Sequence, residues 1–558
     1  MESGLSKSIF LDSPDSRFWA DYDMRRGMSR KHNQVTFKPY AMNQPSLLPP
    51  SLDELIPANH LVRVVNRAIE QLQLDPLLAQ YKGGGTSSFH PRMMLKVLVY
   101  AYTQRLYSSR QIAKTLRENI HFMWLSGRQQ PDFRTLNDFR GRVMKPVIES
   151  VFGAVVEYLV EEGYIRLEHY FLDGTKIEAN ANKHKVVWAK RNQHQQERLQ
   201  AKIRTLLQEI EAANAAEQAE YGDRDLEENG GNDGGQSFNA EKLTAKIAEL
   251  NQQLSTPTPS DPPPDPASRK ALRTLEQDCL PRQKKYEAQA EALAGRNSYA
   301  TTDPEATCMR MKEDRGAEKP WPKPAYNIQL GTENQFVLGF SVHQRAGDTA
   351  CLIPHLRGVQ ALLGRLPEDV TTDAGYGSEE NYVFLEEHGL GNFVKYNTFH
   401  QDQIRHRKPE ILRRELFRSE HFPYDAERDE FICPAQQRLT YRGTQHLKTE
   451  NGYRTERRVY TCGACATCAW KAECTKAKGN RSMRVSFRLQ QFREQARQNL
   501  TSELGQALRA RRSTEVETVF GQIKHNMRVR RFLLRGHEKV KTEWGLICIA
   551  HNLKKLAN

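Results

Sequence analysis

The stretch YNIQLGTENQFVLGFSV (326–342) decides the fold. Tyr326, Ile328 and Leu330 alternate with polar residues, and Leu338, Phe340 and Val342 do the same beyond Gly331–Gln335. Successive side chains of a strand point to opposite faces, so this alternation on both arms of a short turn predicts a β-hairpin. Upstream, Tyr170-Phe171-Leu172 is an apolar run that reads as a strand ending at Asp173. Downstream, Asp348 precedes the apolar-periodic Thr349–Leu363 and reads as a helix N-cap rather than as a fourth metal ligand. Val370–Thr372 gives a further strand, Ser378 caps a helix that Gly389 stops, and Phe393–Tyr396 gives another strand. Strand, hairpin, helix, strand, helix, strand is the order of an α/β domain with a mixed sheet.

The chain has 558 residues, enough for two or three domains with full cores. Residues 1–35 are polar and read as a loose tail. Residues 36–150 read as an all-helical domain: Leu61, Val64, Val65 and Ala68 keep helical spacing, and Met93–Tyr100 is densely apolar. Ser108–Arg117 and Arg134–Val143 carry arginines between apolar anchors, as a helix-turn-helix DNA reader does. Arg105, Arg110, Arg117 and Arg134 would then face phosphates or base edges. A plain helical bundle with solvated arginines explains the same pattern. The mixed-sheet domain takes 165–558 and is interrupted twice. The first interruption, 189–320, holds two helices rich in Gln, Glu, Lys and Ala, a glycine-rich loop (222–237) and a proline-rich linker (255–264). It reads as solvated spacer or as a dimerising arm, with Leu243, Ile247, Leu250 and Leu254 as a short apolar seam. The second, 398–508, is rich in cysteine.

A formal net charge of +14 suggests a polyanionic partner. No apolar stretch approaches the ~20 residues that span a bilayer, and Met1–Lys7 lacks a signal peptide's layout. A cytoplasmic protein is expected, in which the nine cysteines are thiols or metal ligands rather than a disulfide frame.

Three acids have settings that suit catalysis. Asp173 follows the strand Tyr170–Leu172, and Asp373 follows Val370–Thr372 and meets the small turn Ala374-Gly375-Tyr376-Gly377. Glu517 opens a basic helix whose buried stripe is Val516, Phe520, Ile523 and Met527, with Lys524 and Arg528 following on its own side. Two carboxylates at strand ends and one on a helix can converge on a pair of hard, oxygen-seeking cations such as Mg²⁺ (or Mn²⁺). Lys524, Arg528, Arg530, Arg531 and Arg535 could hold phosphates beside them.

The segments FLDGTKIEANANKHKVVWAK (171–190), TTDAGYGSEENYVFLEEHG (371–389) and RRSTEVETVFGQIKHNMRVRRFLLRGHEKVKTEWGLICIAHNLKKL (511–556) resemble the bacterial insertion-sequence DDE transposases, in particular the insertion-sequence family numbered eleven eighty-two. HPRMMLKVLVYAY (90–102), YSSRQIAKTL (107–116) and PDFRTLNDFR (131–140) are similar to the same family. The resemblance runs from about Thr36 to the C-terminus. It implies an RNase H-like catalytic core, Asp173, Asp373 and Glu517 as ligands of Mg²⁺, and metal-dependent cleavage and strand transfer of double-stranded DNA. The DNA partners implied are the terminal inverted repeats of the element and the target. Synapsis of two ends implies a homodimer in the DNA complex, and the setting implied is the bacterial cytoplasm, at the nucleoid. The family's Val-Glu-x-x-Phe-Gly phrase selects Glu517 over Glu515. Relatives place a Tyr and an Arg before this Glu and a Lys seven residues after it. Lys524 fits, Arg512 stands one residue off with Ser513 in the expected place, and no Tyr is near. The lysine role is therefore carried over and the other two are not.

Cys462-x2-Cys465-x2-Cys468-x5-Cys474, with Cys433-Pro434 upstream, has the spacing of a closed thiolate site, which points to one structural Zn²⁺ held by four of the five. Cys433 with three of the later four is the expected set, and His446 is a weaker candidate. Two other functions fit parts of the sequence: a domesticated, catalytically inactive DNA-binding protein, and a zinc-containing RNA-binding or scaffold protein. Neither gives the acidic triad a task.

Overall fold

In the computed structural model, strand β1 (His169–Glu178) is paired along both edges. The residues described are 51–81, 88–221, 237–255, 266–311, 313–314, 321–403 and 415–557. The expected tail, nearly all of the glycine-rich loop and most of the proline-rich linker lie outside them. Strands β2 (Val186–Trp188) and β3 (Ser298–Ala300) form a separate ribbon. The main sheet continues with β4 (Thr307–Met309), β5 (Lys323–Glu333), β6 (Phe336–His343), β7 (Asp369–Thr372) and β8 (Gly391–Val394). Its order is β4-β5-β1-β7-β8, with β6 also on β5. Strands β6, β5 and β1 are antiparallel neighbours, whereas β1, β7 and β8 run parallel, so the sheet is mixed.

The hairpin forms where the alternation places it, but its turn is tighter than Gly331–Gln335. Only Asn334 and Gln335 leave the ladder, both at positive φ (50° and 61°), the conformation a two-residue hairpin loop needs. Gly331 stays in the strand because the Tyr170 ring packs directly on its backbone, where a Cβ would overlap it. Tyr170 is fully buried; its hydroxyl meets His355 Nε2 at 2.6 Å, and His355 Nδ1 lies 2.8 Å from Ser341 Oγ. Burial pushes the His355 pKa down to about 3, so this linkage is made by a neutral imidazole.

After β6 the chain makes a short 3-10 turn (Thr349–Cys351) before the helix Leu352–Leu363, which ends at Gly364 (φ 68°). The helix Glu379–Glu387 starts at Ser378, whose hydroxyl accepts from the Asn381 amide at 3.2 Å, and Gly389 turns at φ 65°. Strand β8 begins two residues earlier than the expected Phe393, because it pairs with β7 from Asp369↔Gly391 onward.

The helices Leu61–Gln71, Pro91–Thr103 and Ile148–Glu161 share one hydrophobic core with the sheet. The C-terminal helix His537–Leu556 joins them: Trp544, Leu546, Ile547, Ile549 and Leu553 are buried between those helices and β6. The helices Ala189–Tyr221, Ala240–Ser255, Pro266–Thr274 and Leu280–Leu293 have a core of their own, with Ile203, Leu243, Ile247, Leu250 and Leu275 buried. The seam of Leu243, Ile247 and Leu250 is thus spent inside the chain. A second sheet, β9 (Tyr424–Asp425), β10 (Glu430–Ile432), β11 (Arg438–Lys448), β12 (Arg454–Cys462) and β13 (Ser482–Val485), is an antiparallel meander around Phe431, Leu439, Tyr460 and Met483. No helix among the described residues is long and apolar enough to cross a membrane.

Gly331→Val drives a side chain into the Tyr170 ring. It is expected to cost about 1–3 kcal/mol, the usual range for overpacking, and to appear as a lowered melting temperature in a thermal scan.

Candidate active site

Asp173 lies inside β1 and not at its end, as the apolar run had suggested. The reason is β5, whose pairing carries β1 on to Glu178↔Ala325, past the point where β7 stops at Thr372. The parallel register runs to Phe171↔Thr371, so β7 leads into Asp373 just beyond the last pair, on the edge of β1 that carries Asp173 two residues further on. Adjacent strands are about 4.8 Å apart, and each aspartate follows the last paired residues, Phe171 and Thr371, by two positions. Asp173 is buried, and its Oδ1 accepts from the Gly174 amide at 2.8 Å. Asp373 Oδ1 accepts from the Gly375 amide, also at 2.8 Å.

Glu517 reaches this pair from the far end of the chain. The helix Glu503–Arg512 passes into a π turn, Ser513–Glu517. A π turn needs one more residue per turn than an α-helix, so the residue five before Glu517 comes to lie against it. That residue is Arg512. Its Nη1 stands 3.3 Å from Glu517 Oε1 and its Nη2 stands 3.2 Å from Asp173 Oδ2. A guanidinium 11% exposed sits between two of the three acids. Glu515 has a different place: it is buried, accepts from the Gln335 amide at 2.8 Å and pairs with Arg511 at 3.1 Å, tying this helix to the hairpin turn.

Two further groups face the acids. Burial pushes the Tyr376 hydroxyl well above its usual pKa, and the charges of Asp348, Asp173 and Asp373 add to this. Lys395 follows β8 at the same rim of the sheet as Asp373. Burial lowers its pKa, Arg512 and Arg509 lower it further, and Asp373 and Glu517 oppose them. Lys395 escaped the reading of the sequence; its one signal is its place just past a strand that runs parallel to β7.

The basic residues after Glu517 are placed differently from expectation. The helix ends at a second π turn, Gln522–Asn526, and Arg528 lies beyond it at φ 59°. Lys524 turns to Glu313 (2.9 Å) and not toward Glu517. Arg528, Arg530, Arg531 and Arg535 occupy an extended segment alongside the end of β1, where the Phe532 amide donates to the Glu178 carbonyl. Arg531 donates to the carbonyls of Ala179 and Ala181, and Arg535 to that of Asn180, so these two guanidiniums pin the segment. Arg110 and Arg134 flank the Phe133 ring at 5.1 and 5.7 Å in an open cavity of about 500 Å³ that also includes Asn137 and Leu533.

All five expected thiols, Cys433, Cys462, Cys465, Cys468 and Cys474, line one cavity of about 20 Å³, room for a single small species. Cys433 Sγ accepts from the Gln437 amide and Cys465 Sγ from the Arg481 amide, each at 3.4 Å, and Arg481 Nη1 reaches Cys474 Sγ at 3.2 Å. Burial raises the Cys462 thiol to about 11, with Cys465 and Cys433 adding. His446 lies on the exposed β11–β12 ribbon against Glu456, and is not among the residues lining this cavity.

Among the described residues no group of three or more His, Cys, Asp or Glu side chains stands close enough to hold a metal ion as it is. At the acidic cluster the space between Asp173 and Glu517 already contains positive charge, that of Arg512. An all-carboxylate donor set around a cationic centre fits a hard divalent ion.

Residues 50–142 match the family model described as Transposase domain (DUF772), and residues 432–557 match Transposase DDE domain. The first segment contains Arg110 and Arg134, and the second contains the five thiols, Glu517 and Lys524. No curated protein and no solved structure gives a significant match. The two matches support a DNA transposase, a mixed α/β enzyme whose family generally works with divalent metal ions on DNA.

The two neighbouring glutamates should separate in stability. Glu515→Ala strands the Gln335 amide and is expected to cost about 1–3 kcal/mol. Glu517→Ala, at a half-exposed carboxylate, should stay within about 0.5 kcal/mol. Urea unfolding of both variants measures the difference.

Proposed function

We propose that this chain is an insertion-sequence DDE transposase of the family numbered eleven eighty-two, which binds the terminal inverted repeats of its element and cleaves and joins DNA there. The observation that carries the proposal is that Arg512 joins Glu517 to Asp173, on a strand paired in parallel with the one that leads into Asp373. The order β6-β5-β1-β7-β8, three antiparallel strands and then two parallel ones, supports an RNase H-like core.

Asp173, Asp373 and Glu517 would hold a pair of Mg²⁺ (or Mn²⁺) ions. Bound there, such ions supply Lewis acidity and a nucleophile for displacement at phosphorus. The chain does the rest. Neighbouring strands lead into the two aspartates so that little reorganisation is needed, and Gly377 lets the turn after Asp373 pack on the Lys395–Tyr396 backbone. Arg512 balances Asp173 and Glu517 and, with Lys395, offers positive charge to a phosphodiester at the same rim. Lys524 and Arg528, Arg530, Arg531 and Arg535 extend the basic surface, with Arg531 and Arg535 also anchoring it. Residues 36–150 read DNA ends through Arg110 and Arg134, whose stacking on Phe133 holds both guanidiniums outward. Two chains then synapse two ends as a homodimer, in the bacterial cytoplasm at the nucleoid.

Purified protein and Asp373→Ala are to be compared on a duplex carrying the element's own end, with Mg²⁺ or EDTA. Nicking by the unmodified chain with Mg²⁺ alone, and background levels in every other lane, is the expected outcome. Tight binding of that end by both proteins without any nicking would make the chain a DNA-binding relic and sink the proposal.

We also assign one structural Zn²⁺ to four of the five thiols around the small cavity, Cys433 with three of Cys462, Cys465, Cys468 and Cys474. The N–H···S bonds to Cys433, Cys465 and Cys474 support thiolates there, and a closed thiolate set leaves no open position for catalysis. Elemental analysis should find about one zinc per chain, with Cys462→Ser losing it and melting earlier; zinc-free protein of unchanged stability would refute the assignment.

A further inference from the structure

Asp348 stands where a helix N-cap is expected, yet its side chain caps nothing. The Cys351 amide bonds to the Asp348 backbone carbonyl at 2.9 Å, and no side-chain cap bond is made. The carboxylate turns instead toward the sheet. Its Oδ1 accepts from Asn327 Nδ2 at 2.8 Å and from Gln329 Nε2 at 3.0 Å. Both amides come from β5 and both residues are fully buried. Gln329 is held in turn by the Tyr376 hydroxyl, which donates to its Oε1. A buried polar network is costly unless it is satisfied, and this one is spent on fixing a single carboxylate.

The fixed carboxylate lies between the Gly174 and Gly375 positions, on the side of Asp373. Gly174, next to Asp173, lies directly under it: a Cβ there would stand 2.5 Å from Asp348 Oδ1. The corresponding point at Gly375 is 3.0 Å from Asp373 Oδ1 and 3.8 Å from Asp348 Oδ2. The two oxygens therefore flank one small gap, kept open by glycine. Both amide bonds go to Oδ1, and Oδ2 is the oxygen on the Gly375 side, where Asp373 Oδ1 also lies.

We infer that Asp348 is a fourth carboxylate of the active site, whose Oδ2 shares with Asp373 the ligation of one divalent cation. This rests on the transposase reading of the site. Asn327 and Gln329 are positioning residues: they aim the carboxylate and neutralise part of its charge. Gly174 is required because a Cβ there would strike the clamped Oδ1 and the Gln329 amide, and Gly375 because a side chain there would crowd the gap between Asp348 Oδ2 and Asp373 Oδ1. A helix N-cap predicts neither the buried amide clamp nor the two glycines.

The test is a Mn²⁺ titration of the full chain without DNA, followed by isothermal calorimetry and by the Mn²⁺-induced rise in melting temperature. Unmodified protein, Asp348→Asn and Asp373→Asn are compared, and nicking is measured against Mg²⁺ concentration in parallel. Asp348→Asn keeps an acceptor oxygen for the two amides, so its melting temperature in EDTA should match the unmodified protein. Its Mn²⁺ affinity should fall about 10–100-fold, as for other losses around a metal, and its nicking should need correspondingly more Mg²⁺. Should this variant melt early in EDTA, Asp348→Glu decides: a carboxylate ligand restores Mn²⁺ binding, and a merely structural tie does not. Normal Mn²⁺ binding by Asp348→Asn with weakened binding by Asp373→Asn overturns the assignment of Asp348 alone. An unmodified chain that binds no Mn²⁺ overturns the reading of the whole site, and this assignment with it.

Discussion

The double pairing of β1, antiparallel to β5 and parallel to β7, is the constraint on which the rest of the structure depends. A slip of one residue in either ladder would turn every β1 side chain to the opposite face. Tyr170 would leave its place over Gly331, and Asp173 would turn away from Asp373. The fit of the Tyr170 ring against a residue without a Cβ fixes the register from the packing side. The hydrogen bonds to β5 and β7 fix it from the backbone side.

Holding carboxylates together has an electrostatic cost, and the chain meets it with local cations. Arg512 pairs with both Asp173 and Glu517, and Lys395 faces Asp373 and Glu517 from the rim of β8. The π turn at Ser513–Glu517 is what lets Arg512 do this. π turns inside helices often mark functional positions because they re-aim a side chain without ending the helix. Here the turn joins two residues at a spacing that an α-helix would splay apart.

The N-terminal helices are fastened to the segment after Glu517 as well as to the core. Tyr107 donates to the carbonyl of Met527 at 2.6 Å, just past the helix that carries Glu517. Leu533, in the segment held along β1, lines the same open cavity as Arg110 and Arg134. Buried Glu543, its pKa raised by burial, accepts the amides of Leu533 and Leu534 and fixes that segment to the C-terminal helix. The arginine-bearing face and the acidic cluster are thus joined by one short stretch of chain.

The sequence by itself determined what depends on near neighbours. The alternation around 326–342 gave the hairpin, Ser378 and Gly389 bounded their helix, and the close cysteine spacing anticipated thiols around one cavity. Tertiary structure decided everything that depends on register and on contacts between distant residues. Asp173 looked like a strand end because the sequence could not tell that β5 carries β1 further than β7 does. Asp348 looked like a cap because capping is a local rule, while Asn327 and Gln329 reach it only across the folded sheet. Lys395 had no local pattern at all, and the pairing of Arg512 with Asp173 joins residues from distant parts of the chain. Periodicity and capping are written within a few residues of chain; the meeting of charges is set by which strand lies beside which.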